Sequence, residues 1–185
     1  MSPRLIDPVG ADDHTAGPAD APVTLVEYGD FECPHCGRAY PVVRWLQEQL
    51  GSDLRFVFRN FPLRESHPHA EHAAEAAEAA GARGEFWPMH SMLFEHQDAL
   101  EDDDLVRYAG EIGLDEDEIA SDLDAGTFEP VVQADFMSGV RSGVNGTPTF
   151  FVNGERFDGD WGDAAGFLRW LRAPANGQRK GRGAG

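Results

Sequence analysis

The stretch Pro22-Val23-Thr24-Leu25-Val26-Glu27-Tyr28-Gly29, continuing as Asp30-Phe31-Glu32-Cys33-Pro34-His35-Cys36, decides how this chain folds. Residues 23–28 are β-branched and largely apolar, and Pro22 and Gly29 bound them, which is the composition of a short buried strand. From Pro34 the period changes: Ala39, Val43, Leu46 and Leu50 recur at helical spacing and Gly51 closes the run. Pro41 is expected to kink this helix after its first turns. Leu54-Arg55-Phe56-Val57-Phe58-Arg59 then alternates as a second strand. Strand, helix and strand within residues 22–59 fit a right-handed βαβ unit with parallel strands.

The chemistry sits where the first strand becomes the helix. The chain has two cysteines, and as Cys33-Pro34-His35-Cys36 they lie too close in sequence to staple distant segments. At a helix N-terminus unpaired backbone N–H groups and the macrodipole favour a thiolate at Cys33. Cys36, one turn in, is placed to attack a mixed disulfide formed on Cys33, so the pattern suits thiol-disulfide exchange. His35 reads either as a donor or partly charged imidazole that helps the thiolate, or as an exposed loop histidine. Asp30 and Glu32 oppose the thiolate by like charge. Glu27 reads either as a carboxyl of raised pKa shuttling a proton to or from Cys36, or as a solvent-facing strand residue. Pro148, after Thr147 and before a strand, is either a cis proline that exposes Thr147 backbone to an incoming peptide or an ordinary trans proline.

Around this core, residues 1–21 read as an extended N-terminal arm without periodicity. Residues 63–142 carry helical stripes and no convincing strand: Ala70–Ala80; Phe86, Met89 and Leu93; Leu105, Ala109 and Ile112; Ile119 and Leu123; and Phe128, Val132, Phe136 and Val140. Asp115 and Glu118 suit a capping-box start to the fourth of these. Thr149-Phe150-Phe151-Val152, Asn153-Gly154 and Glu155-Arg156-Phe157 spell a hairpin, and a last helix covers about 163–171. The expected organisation is a thioredoxin-like domain over 22–62 and 143–172, an inserted helical domain over 63–142, and a disordered tail over 173–185.

With 185 residues, 41% of them apolar, there is material for a core. A formal net charge of −18 repels phosphates and anionic lipid, which excludes nucleic acid and membranes as expected partners. The short basic run Gln178–Arg182 does not offset it. Acidic runs at 101–104 and 115–118 read as solvated surface or a cation site, although neither meets the calcium-loop pattern. His67, His69 and His72, with His90 and His96 further on, are either helix-start decoration or metal ligands, and zinc at the cysteine pair would lack two further ligands. No metal or cofactor is expected. No stretch is long enough to span a membrane and the first thirty residues lack an export signal, so with Met1 as the start the expected compartment is the cytoplasm.

The residues His14–Pro18 and Ala21–Cys36 resemble the DsbA-like thioredoxin-fold family. So do Phe61-Pro62-Leu63, His67-Pro68, the Ala-rich helix, Phe86-Trp87-Pro88-Met89-His90 and Val144–Gly154, a resemblance spanning about 14–172. It implies an α/β thioredoxin fold (βαβ…ββα) with an all-helical domain inserted in the middle. It also implies Cys33 as nucleophile, Cys36 as resolving thiol, Thr147 and Pro148 as a cis-proline substrate loop, and Glu27 at the family's buried acidic position. Pro34-His35 between the cysteines is similar to strongly oxidising members. The expected function is therefore a protein disulfide oxidoreductase, its direction open, that acts on protein or peptide thiols and disulfides and is recycled by a redox partner. The rivals are a thioredoxin-like peptide-binding or chaperone module without essential redox turnover, and a metal-binding protein.

Overall fold

The computed structural model describes residues 3–173. The opening stretch forms β2 (Val23–Gly29) and α1 (Pro34–Leu50), and a single 3-10 turn leads into β3 (Leu54–Asn60). β2 and β3 pair in parallel from Val23 opposite Leu54 to Gly29 opposite Asn60. Pro41 lies inside α1 without ending it. β4 (Thr149–Val152) runs antiparallel to β2, and β5 (Glu155–Phe157) returns along β4. The hairpin turn needs positive φ at both central residues, and Asn153 (48°) and Gly154 (83°) supply it. A three-residue strand, β1 (His14–Ala16), pairs antiparallel with β3 and completes the order β1-β3-β2-β4-β5.

Side chains alternate across β2 and so build two different faces. Leu25 joins Phe56, Phe58 and Phe150 against Ala39, Val43 and Leu46 of α1 and Phe167 of α7 (Ala164–Arg172). Val26 and Tyr28 join Val57 and Phe151 on the opposite face, where Leu5 and Val9 of the N-terminal arm pack. That arm crosses from one sheet edge to the other. Pro3 and Leu5 exchange backbone hydrogen bonds with Arg156 and Gly154 beyond β4, and Asp13 reaches Arg59 of β3 at 2.7 Å just before the chain pairs as β1.

Five helices lie between β3 and β4: α2 (Ala70–Gly81), α3 (Phe86–Glu95), α4 (Asp102–Glu111), α5 (Glu116–Ala125) and α6 (Glu129–Arg141). The alanine-rich α2 is their hub, because its small side chains let α3, α4, α5 and α6 all lie against it. Asp115 caps α5 by accepting the Glu118 N–H at 3.1 Å. Together these elements are a thioredoxin fold carrying an all-helical insertion. The tail from residue 174, expected to be disordered, lies outside the described residues, as does its basic run.

Candidate active site

Cys33 is the N-cap residue of α1, with extended backbone (φ −70°, ψ 121°), and Pro34 takes the first helical turn, where its missing N–H costs nothing. Both cysteines are free thiols; Cys36 is fully buried and Cys33 keeps 3% exposure. Their environments push them apart. A hydrogen bond from the Cys36 thiol lowers the pKa of Cys33 to about 5, and Thr147 and the backbone N–H groups of Cys36 and His35 add to this against burial. Burial raises Cys36 well above the ordinary thiol range, and the charges of Glu27 and Cys33 act in the same sense. The pair thus holds a ready thiolate beside a reluctant one.

Two acidic residues flank the pair, and each is tied down. Asp30 is buried, and its Oδ1 accepts the N–H groups of Glu32 (2.8 Å) and Cys33 (3.2 Å). Its Oδ2 accepts the Leu63 N–H at 2.9 Å and meets His67 Nδ1 at 2.7 Å. Glu32 accepts the His69 N–H at 2.7 Å and meets His69 Nδ1 at 2.9 Å. The charges that sequence reasoning set against the thiolate are therefore each paired with a histidine from the segment leading into α2. Burial works against His67, yet its contact with Asp30 and the charges of Cys33 and Glu32 leave its pKa raised. His72 pairs instead with Asp102 at 2.6 Å, so the three histidines do not converge.

Glu27 lies on the α1-facing side of β2, opposite Phe58 and Phe150, at 2% exposure. Its Oε1 has no hydrogen-bond partner. Burial, assisted by the negative charge of Cys33, raises its pKa to about 8. The solvent-facing alternative is not what the structure shows. His35 is exposed and its Nδ1 accepts a hydrogen bond from Arg38, so its backbone N–H, not its ring, addresses the Cys33 sulfur. The Thr147–Pro148 peptide bond is cis, and the Cys33 thiol donates to the Thr147 carbonyl oxygen at 3.5 Å. Thr147 Oγ1 is buried without a partner beside the reduced thiol, and it is the donor that an ionised Cys33 would take up.

Gln97, in the turn after α3, had no sequence signal of its own. Its Nε2 donates to the carbonyl oxygens of Phe31 and Cys33, both at 2.9 Å. The clue lay in Gly37, a glycine in the first turns of a helix: a Cβ there would sit 2.0 Å from Gln97 Oε1. His90 is a core residue walled by Phe31, Phe58, Phe94 and Trp87, and burial lowers its pKa to about 3.

The thioredoxin family model (Thioredoxin_4) matches residues 10–170. BdbD from Bacillus subtilis in its oxidised form superposes with a TM-score of 0.81 at 25% identity, covering 92% of this chain and 95% of that one. A thioredoxin-like oxidoreductase from Silicibacter pomeroyi superposes at 0.70 with 28% identity, covering 87% and 94%. Among curated proteins, the Na(+)/H(+) antiporter NhaA 1 of Mycobacterium sp. (strain KMS) is 45% identical over 172 residues, 91% of this chain but 28% of the antiporter. The chain thus spans little more than a quarter of that relative's length. These findings correct the expectation of a cytoplasmic protein. That expectation rested on where the sequence starts, and a segment that matches about a quarter of a longer Na(+)/H(+) antiporter carries no compartment information at its first residue. Among the described residues no helix is long and apolar enough to cross a membrane. By its sequence pattern and its family model the chain belongs to the thioredoxin family, and its fold is that of the DsbA-like proteins.

Proposed function

We propose that this protein donates disulfides to the thiols of extracytoplasmic protein substrates through the Cys33–Cys36 pair. The observation that carries the reading is the opposed setting of the two sulfurs, Cys33 stabilised as a thiolate at the α1 N-terminus and Cys36 buried as a thiol. Stabilising the reduced form makes a couple more oxidising, and a low-pKa thiolate is the better leaving group.

In the forward sense a substrate thiolate attacks Cys33 Sγ of the oxidised pair. The Cys33–Cys36 bond breaks, a mixed disulfide forms on Cys33, and Cys36 departs as a thiolate that takes a proton, for which protonated Glu27 is the buried source. A second substrate thiolate attacks the substrate sulfur of the mixed disulfide, forms the substrate disulfide and releases Cys33 as a thiolate. Two electrons pass from two substrate thiols to the pair, and a partner that accepts them restores the disulfide. The Thr147 carbonyl, 3.5 Å from Cys33 Sγ, is the backbone acceptor placed to align the substrate strand.

The test is equilibration of the pair against glutathione buffers, read by alkylation and mass, together with single-cysteine variants. A couple more oxidising than glutathione, Cys33→Ala inert, and Cys36→Ala accumulating mixed disulfides would support the reading. A couple as reducing as thioredoxins would reverse the direction. No reversible couple at all would sink enzymatic exchange and leave a peptide-binding module.

A further inference from the structure

Asp30 places a carboxylate on the N–H of the nucleophile itself, with Oδ1 at 3.2 Å from Cys33 N. Left alone, a buried negative charge at that distance opposes a second anion on the adjacent sulfur. The other oxygen of the same carboxylate meets His67 Nδ1 at 2.7 Å, and the imidazole retains 18% side-chain exposure, so it can exchange protons with solvent. His67 is thus the one group among the described residues that stands between Asp30 and water as a titratable partner.

Resting on the exchange function above, we propose that His67 is a positioning residue whose protonation on Asp30 cancels the carboxylate's charge and so favours the Cys33 thiolate. Reduction of the disulfide then carries a coupled proton: as two electrons enter and Cys33 becomes a thiolate, His67 binds a proton from solvent more tightly. Linkage makes the effect reciprocal, so the charge on His67 stabilises the reduced pair by as much as the thiolate stabilises the charge on His67. The charged and titratable groups facing the ring are Asp30, Glu32 and Cys33. Glu32 is itself engaged by His69 at 2.9 Å, which leaves Asp30 as the carboxylate His67 answers.

The decisive comparison is wild type against His67→Gln, since glutamine can still donate to Asp30 but never carries charge. In the variant, Cys33 should titrate higher by ultraviolet thiolate absorbance, and the equilibrium constant with glutathione should become less oxidising by roughly threefold to tenfold at about pH 6. The gap should close at about pH 9, where wild-type His67 is neutral as well. An equal gap at both pH values would mean a structural role, and no gap would mean no coupling; either overturns the proposal. Should the variant fail to fold, the His67 ring resonances of the wild-type protein decide the matter. A higher proton affinity in the reduced than in the oxidised protein supports the coupling, and identical titrations overturn it. A wild-type protein without a reversible couple overturns both this inference and the exchange function, whereas a normal couple untouched by His67→Gln overturns this inference alone.

Discussion

Gln97 Nε2 lies 2.9 Å from the carbonyl oxygen of Cys33, so a side chain of the helical insertion holds the backbone of the nucleophile. The same amide nitrogen serves Phe31, and Gly37 leaves the space through which the side chain passes. Removing it takes this donor from the Phe31 carbonyl and leaves the Cys33 carbonyl with the Gly37 N–H alone, at a cost of about 1–2 kcal/mol. Gln97→Ala should therefore lower the denaturant midpoint, and Gly37→Ala should do so by displacing the same side chain. In the Gln97→Ala background Gly37→Ala should be nearly harmless, because its obstacle is gone. Additive losses in the double variant would show that the two residues do not act through one contact.

Thr147→Val keeps the shape beside Cys33 but removes the Oγ1 donor. The Cys33 titration should move upward from about 5, by roughly half a unit to one unit, and glutathione should reduce the variant less readily. An unchanged thiolate absorbance profile would show that Oγ1 does not serve the anion.

Glu27 separates a stability effect from a kinetic one. Its folded pKa, about 8, stands above the ordinary carboxyl value of 4.5, so the native state binds the proton more tightly. Stability from this group is fully present at low pH and is lost as pH rises through that window. Glu27→Gln should abolish that loss, making the variant more stable than wild type at about pH 9, while transfer of a proton to or from Cys36 slows by about tenfold or more. Stopped-flow resolution of a mixed disulfide, taken as a pH profile, checks the second half; an unchanged rate would leave Glu27 with no part in proton transfer.

Asp135 of α6 makes a comparable prediction away from the cysteines. Its Oδ2 accepts the Asn60 N–H at 2.9 Å and Nδ2 at 3.0 Å, but burial dominates and raises its pKa from 3.8 to about 7. The native state again prefers the protonated form, so wild-type stability from this site falls between those values as pH rises. Asn can accept the same two hydrogen bonds without charge. Asp135→Asn should raise stability at about pH 8 by an amount on the order of 1 kcal/mol and leave it unchanged at about pH 4. His90 works in the opposite sense, losing stability as pH falls from 6.5 towards about 3, so the comparison must be made within the variant pair at each pH.

Much of this site was written locally. The strand-to-helix junction set Cys33 at an N-cap, and the apolar neighbours of Glu27 marked the strand that carries it, though not whether its carboxyl is buried. What was not legible depended on the partners brought by folding. Asp30 looked like an unfavourable charge because nothing near it in sequence announces that His67 will arrive from the start of the insertion. Gln97 lies in a polar turn, and only the glycine facing it hinted at a close approach. β1 is too short for a period, and its pairing with β3 comes from the edge it finds there rather than from its own residues.

The N-terminal arm makes the fold behave as two pieces that need each other. Arg59 is 4% exposed, and its guanidinium takes Asp13 together with the carbonyl oxygens of Asp7 and Pro8. Without the arm the guanidinium loses its counter-charge and the carbonyl oxygens of Asp7 and Pro8 and keeps only the Tyr28 hydroxyl, while the apolar sheet face that Leu5 and Val9 cover is bared to water. The segment up to Ala16 is thus suited to fragment complementation: supplied in trans as a peptide, it should restore a folded, redox-active protein to a chain that begins at Pro18, and the same peptide carrying Asp13→Asn should not.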